Sequence, residues 1–263
     1  MTTSTSFKSA AGRVLIIGAS GKTGRRVADR LAARNIPTRL ASRSGDVRFD
    51  WNEPSTWEPA LAGASVVYLT YAPDLAVPSA PGHIEAFATL AQQQGIGRLV
   101  LLSGRGERDA QRCERIVQAI NPAWTVVRAS WFAQNFDEGV FVGMLQQGML
   151  ALPASDVREP FVDANDIADI VVAALTEPGH AGEIYEVTGP RLLTFAEAVA
   201  EISRAAGREI GYLTIPMQAF LAGAREQGVP EEAVGLMQYL FETVLDGRNA
   251  YVADGVQRAL GRA

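Results

Sequence analysis

Glycines at 18, 21 and 24, with Ser20, Lys22 and Thr23 between them, are the residues of this chain best suited to handling phosphate. They follow the apolar run 14–17 (VLII) and precede Val27, Ala28, Leu31 and Ala32, which recur at helical spacing. A strand that turns through glycines into a helix presents bare backbone N–H groups at a helix N-terminus, where a pyrophosphate can be held. Each glycine has a role in such a turn: the tight bend, the close approach of backbone to phosphate, and the packing of helix on strand. The spacing is G-x-x-G-x-x-G rather than G-x-G-x-x-G. Its place between a strand and a helix is what predicts dinucleotide binding.

Further candidates fall where later strands end. Residues 38–41 read as a short strand that stops at Ser42-Arg43-Ser44, with no acid before Asp46. An Asp or Glu here bonds the ribose 2′-OH of NAD, whereas a cation suits the 2′-phosphate of NADP. Arg43 therefore predicts NADP. Asp50 and Trp51 close a third short strand, 47–50, where a base edge could be bonded and covered. Strand 66–70 breaks at Tyr71-Ala72-Pro73-Asp74, and strand 99–102 delivers Ser103 and Gly104. Ligands of a doubly wound sheet bind beyond the carboxyl ends of its strands. This places Thr70, Tyr71, Asp74 and Ser103 in the site. Tyr71 and Asp74 are the candidates for a catalytic or polar role toward substrate, and Asp74 could attract a cationic amine. The aromatic stretch 131–136 (WFAQNF) follows the strand 124–128 and belongs at the mouth.

Strands and helices alternate with short connections from 13 to about 130, which argues for a doubly wound, mostly parallel sheet. Residues 105–109 carry charge and read as exposed, and 111–120 as a helix with Cys113 on its buried face. Beyond 128 the pattern changes. A broken helix over about 141–150 leads to a helix after Asn165-Asp166 and a strand at 184–187. A capping box, Thr194-Phe195-Ala196-Glu197, then opens a further helix. A strand at 210–215 and helical stretches near 216–226 and 230–245 follow. The expected organisation is a polar, disordered tail at 1–12, a nucleotide-binding core at 13–150, and a smaller α+β substrate lobe at 151–263 interleaved with the core.

Composition narrows the function classes. The 263 residues are 48% hydrophobic and 20% charged, which suits a globular enzyme or binding protein. The net charge of −5 comes from interspersed acids and bases, with no basic run for nucleic acid. One cysteine and two distant histidines, His83 and His180, predict no metal site and no internal disulfide. The tail lacks the apolar core of a signal peptide, and no apolar stretch reaches the roughly 18 residues of a membrane helix. A cytoplasmic monomer or homodimer acting on a small molecule is expected.

With these residues in view, the chain resembles the NmrA-like branch of the atypical short-chain dehydrogenases. The matching pieces are GASGKTGR at 18–25, ASR at 41–43, the Asp at 50 and LLSG at 101–104. VVRASWFAQNF at 126–136, FVDANDIADIVVAAL at 161–175 and EIYEVTGPRLLTFAEAVAEIS at 183–203 extend the likeness over most of the chain. The resemblance implies an NAD(P)-binding Rossmann domain with a C-terminal substrate lobe. It places Gly18, Ser20, Gly21, Lys22, Thr23 and Gly24 on the pyrophosphate, Arg43 at the 2′-phosphate and Asp50 beside adenine. Thr70, Tyr71 and Ser103 fall at the strand ends. Such proteins include quinone and isoflavone reductase types, ergot-alkaloid dehydrogenases of the agroclavine type, and redox-sensing regulators. YAPD at 71–74 and the tail look most like the ergot-alkaloid type.

One departure bears on chemistry. No tyrosine of this chain has a lysine four residues on, and its only lysines are Lys8 and Lys22. The Tyr-x-x-x-Lys donor of ordinary short-chain dehydrogenases and the lysine of isoflavone-reductase types are therefore missing. An iminium needs no protein acid, and a quinone or enone could take its proton from water. The expectation is an NADPH-dependent reductase of a small conjugated or cyclic substrate. The alternatives are an NADP(H)-sensing regulator without turnover, or a cyclase or isomerase on the same fold.

Overall fold

The apolar runs become the middle of one parallel sheet. The computed structural model describes residues 13–262; the tail expected at 1–12 lies outside them. The first half supplies β1 (Arg13–Ile17), α1 (Lys22–Ala33), β2 (Thr38–Ser42), β3 (Val47–Arg48) and α2 (Trp57–Leu61). It continues with β4 (Ala64–Leu69), α3 (Ala80–Gln93), β5 (Arg98–Gly104), α4 (Arg108–Ile120) and β6 (Trp124–Ala129). The rest contains α5 (Val142–Gln146), β7 (Met149–Leu152), α6 (Ala164–Thr176), β8 (Glu183–Val187) and α7 (Phe195–Ala206). Last come β9 (Gly211–Thr214), α8 (Met217–Glu226), α9 (Glu231–Tyr239) and α10 (Gly255–Leu260).

Seven strands form the main sheet in the order β3-β2-β1-β4-β5-β6-β8, every neighbouring pair parallel. Successive residues of a strand point to opposite faces, so a strand covered on both sides is apolar throughout. Leu15 and Ile17 of β1 join Val67, Leu69, Phe87, Leu99 and Val117 on the face of α2, α3 and α4. Val14 and Ile16 join Val27, Leu31, Val127, Ile167 and Val171 on the face of α1, α6 and α10. Cys113 is fully buried in the first of these clusters. The fold is thus the doubly wound, Rossmann-type α/β arrangement expected.

Beyond the sheet lies a third apolar cluster, built on Phe136, Phe141, Leu150, Phe195 and Phe241. Here β7 and β9 pair in parallel as a separate two-stranded sheet. Residues 149–152 are therefore a strand, not the end of a broken helix. Their partner lies some sixty residues ahead, so local spacing does not show the pairing. The capping box forms as read: Thr194 accepts from the Glu197 N–H, and the Glu197 side chain from the Thr194 N–H. The stretch 230–245 is helical but leaves α geometry at Leu240–Val244, which is a π-turn.

The sheet order reverses at β1, which has β2 on one side and β4 on the other. A crevice forms beyond the carboxyl ends of the strands at such a switch point. Leu15 pairs with Val67 and Ile16 with Tyr68, so the two strands end level and Gly18 comes beside Thr70. Among the described residues no helix is long and apolar enough to cross a membrane.

Candidate functional site

A cavity of about 680 Å³ opens at this switch point. Its first wall is the turn from β1 into α1. Gly18 has φ +72, a left-handed conformation that glycine adopts at little cost, and a Cβ there would lie 2.3 Å from Thr70 Oγ1. A Cβ on Gly24 would lie 2.1 Å from the Gly18 carbonyl oxygen. The helix therefore starts against the turn with only hydrogen between them. Gly21 is the N-cap; it provides no side chain to the first N–H groups, and the first turn carries no acid. Those N–H groups and the positive end of the helix dipole are open to an anion. The cradle fits the pyrophosphate of a dinucleotide.

Gly18, Ser20, Gly21, Lys22 and Thr23 all line the cavity, whereas Gly24 lies behind it. The half-buried Lys22 ammonium is held below its ordinary pKa, chiefly by desolvation, although Glu138 pulls the other way. Glu138 ion-pairs with Arg25 and Arg26 on α1, which pins the loop 137–139 over the cradle. Arg43 lines the cavity, is exposed, and has no hydrogen bond or ion pair among the described residues. Nearby arginines do have partners: Arg39 donates to the Pro59 and Ala60 carbonyls and Arg48 pairs with Glu53. Asp50 is also in the wall, one oxygen accepting from the Asn52 N–H at 2.9 Å. Trp51 is mostly buried, packs on Phe49, Trp57 and Phe87, and donates to the Thr70 carbonyl at 3.1 Å.

The strand ends at Thr70, Tyr71 and Ser103 line the cavity, with their hydroxyls already engaged. Thr70 donates to the Ile17 carbonyl at 2.8 Å, joining the ends of β1 and β4. The Tyr71 hydroxyl is 2.7 Å from His83 Nδ1 and 3.3 Å from Ser79 Oγ, and burial raises its pKa. His83 is thus a partner of Tyr71 on α3. The Ser103 hydroxyl donates to Glu114 at 2.6 Å. Asp74 lines the cavity with its carboxyl pKa raised by burial.

The segment 105–109 departs from the sequence reading. Arg105 and Glu107 are buried, and both line the cavity. Arg105 donates to Ser130 at 2.8 Å and to the carbonyls of Asn249 and Tyr251, and its guanidinium stacks 4.3 Å from the Tyr251 ring. The chain 249–251 is thereby strapped onto the end of β5. Behind it, Arg128 bridges Glu114 and Glu186. Burial first, and then the Asp74 charge, hold the Glu107 pKa well above the ordinary carboxylate range. A run of charge reads as surface in a sequence. The packing strap comes from residues some 140 positions on, which local spacing does not reveal.

The remaining wall is apolar, with Trp131, Phe132, Leu240 and Val244 facing the cavity. Trp131 stands against Phe141, Phe195 and Phe241. Glycine backbone and an unpartnered arginine at one end, and aromatic side chains at the other, suit a long ligand that is anionic on one side and flat on the other. Among the described residues no group of His, Cys, Asp and Glu is placed to hold a metal ion.

Fold and cavity together define a Rossmann-type protein with a dinucleotide-sized crevice. The chain belongs to the NmrA-like family, whose model matches residues 111–256, and an NAD(P)H-binding model matches residues 18–178. It is 28% identical to the NAD(P)H azoreductase of Xenophilus azovorans, over 95% of this chain and 93% of that protein. It is likewise 28% identical to the agroclavine dehydrogenase of Claviceps fusiformis, over 85% and 83%. The NADPH-dependent quinone oxidoreductase of Escherichia coli, solved with NADPH, superposes with a TM-score of 0.75 at 18% identity, over 95% of each chain.

Proposed function

We propose that this protein is an NADPH-dependent reductase acting on a small conjugated or cyclic acceptor such as a quinone, an enone or an iminium. One observation carries the reading: a single cavity runs from the bare helix N-terminus and Arg43 to the aromatic wall at Trp131. The names of the relatives, an azoreductase, an agroclavine dehydrogenase and a quinone oxidoreductase, are all those of redox enzymes.

A bound dinucleotide supplies hydride from its reduced nicotinamide. The protein's own residues bind and orient. Gly18, Ser20, Gly21, Lys22 and Thr23 hold the pyrophosphate, while Gly24 lets α1 start close enough to do so. Arg43 takes the 2′-phosphate and Asp50 sits beside adenine. Thr70, Tyr71 and Ser103 wall the nicotinamide end, and Trp131 with Leu240 and Val244 excludes water from a flat acceptor. Asp74, rather than Tyr71, is the polar group toward the acceptor, because the Tyr71 hydroxyl is held by His83.

A second reading, an NADP(H) sensor without turnover, is favoured by the engagement of both the Tyr71 and Ser103 hydroxyls within the protein. Two measurements test the pair of readings. Oxidation of NADPH with quinone, enone and iminium acceptors is expected, and no turnover with any of them favours the sensor. Arg43→Ala should weaken NADPH binding by about tenfold, or roughly 1.4 kcal/mol, and leave NADH binding unchanged. Equal losses for the two cofactors would remove the 2′-phosphate role.

A further inference from the structure

Asp74 and Glu107 meet in the wall of the cavity from different elements. Asp74 lies on the loop after β4, and Glu107 is the residue before the first turn of α4. Both carboxyls line the same cavity; burial raises the pKa of each, and the Asp74 charge raises that of Glu107 further. Asp74 also accepts from the Ala76 N–H at 2.8 Å. Glu107 does not cap its helix; its carboxyl leans over Gly104, where a Cβ would come within 2.0 Å of Oε1.

The surrounding charges are committed elsewhere. On α4, Glu114 is bound by Arg128 and Ser103, and on α9 the Tyr239 hydroxyl accepts from the Arg108 N–H. Arg105 is held by Ser130, Asn249 and Tyr251, and Arg248 by Asp246 and the Gly106 carbonyl. Among the described residues no cation pairs with Asp74 or Glu107. Paired acids alone say nothing of a ligand. Their position does: Glu107 is only 7% exposed, has no partner outside the pair, and lines the same cavity as the phosphate cradle and Trp131.

We propose that Asp74 and Glu107 share one proton and are the proton donor of the reductase, with Asp74 delivering it to the heteroatom of a bound quinone or enone and Glu107 replenishing Asp74. This rests on the reductase reading above. The acceptor gains a hydride, supplied by the reduced dinucleotide, and one proton, supplied by the pair. A quinone so reduced by two electrons leaves as hydroquinone, and the doubly ionised pair recovers its proton from water at the half-buried Asp74. The Tyr-x-x-x-Lys function is thus met by carboxyls from two strand-end loops. The pair also sorts substrates, because an iminium carries its own charge and needs no proton.

The test has two arms. Glu159 is the other buried carboxyl that holds a proton near neutrality, so the infrared arm uses the ligand-free Glu159→Gln protein. A protonated-carboxyl band is expected there at neutral pH and should vanish when Glu107→Gln or Asp74→Asn is added; its absence from Glu159→Gln itself overturns the proposal. In turnover, both variants should lose about a hundredfold or more in kcat with menadione, in the range of general acid catalysis. Both should keep NADPH affinity, and Glu107→Gln, which leaves the Asp74 carboxyl facing the acceptor, should lose little in kcat with an N-methyl dihydroisoquinolinium. Equal losses of Glu107→Gln with the two acceptors, or no loss with menadione, overturn the donor role and leave the reductase reading intact. A wild type that reduces neither acceptor overturns the reductase reading, and the donor role with it, even if the band is present.

Discussion

The two ends of the cavity are made of different materials. The phosphate end is backbone: Gly18, Gly21 and Gly24 bring a strand end and a helix start together, and the charges beside them, Lys22 and Arg43, have no ion-pair partner among the described residues. The far end, faced by Trp131, is backed by side-chain charge packed out of water, in Arg105, Glu107, Glu114 and Glu159, with Arg128 and Glu186 partly covered. Sterics shape the first end, and paired charge shapes the second. The first should therefore break when an atom is added, and the second when a charge is taken away.

The largest effect is expected from Arg128→Met. The guanidinium donates to Glu114 at 2.9 Å and to Glu186 at 2.9 Å. Without it Glu114, whose side chain is 2% exposed, keeps only the Ser103 hydroxyl. Removing one member of a buried ion pair costs about 3–5 kcal/mol, because the other charge stays buried without a partner. Denaturant unfolding should show that loss, and the double variant Arg128→Met/Glu114→Gln should recover most of it. A loss below about 1 kcal/mol would mean that the far end is not held by charge, given the usual cost of breaking such pairs.

Glu159 gives the second test of the far end, through pH. It is 1% exposed and one carboxyl oxygen has no partner. Burial raises its pKa to about 7, with Arg105 pulling it down. The unfolded chain releases this proton at its ordinary pKa, near 4.3, so between there and about 7 the folded protein binds the extra proton. Stability must then fall as pH rises through that window, by roughly 3–4 kcal/mol from this residue alone. Glu159→Gln should flatten the slope and leave the variant more stable than the wild type at alkaline pH. Parallel stability curves for the two proteins would show that Glu159 is not the source.

The same contrast decides how much was legible in the sequence. The phosphate turn is written in consecutive residues, so GASGKTG at 18–24 and Arg43 point to their places, and all but Ala19 and Gly24 line the cavity. The alternation of apolar runs likewise announces the sheet and its helices. The far end is assembled from residues 74, 105–107, 114, 128, 159, 186 and 249, and no local period links them. Arg105 and Glu107 read as surface because charge in a short run is most often solvated. Only the strap at 249–251 and the ends of β5 and β6 show that they are not. The strand 149–152 was hidden for the same reason, its partner being β9.

The smallest expected effect sharpens the near end. Gly24 does not have the positive φ of Gly18, so alanine meets no conformational penalty there; what it meets is backbone. Its Cβ would approach the Gly18 carbonyl oxygen to 2.1 Å, the Gly18 carbonyl carbon to 2.8 Å and Ala19 Cα to 2.9 Å, and none of these can rotate away. The start of α1 must therefore move off the end of β1. Overpacking of this kind costs about 1–3 kcal/mol. The shift displaces the N–H groups that face the anion, so NADPH affinity should fall with stability. Gly223→Ala is the matched control: it lies within α8, nothing stands within 4 Å of the added carbon, and it should gain about 0.5–1 kcal/mol with NADPH affinity unchanged. A Gly24→Ala protein that behaved like Gly223→Ala would show that close packing does not shape the cradle, and the contrast between the two ends would lose its first half.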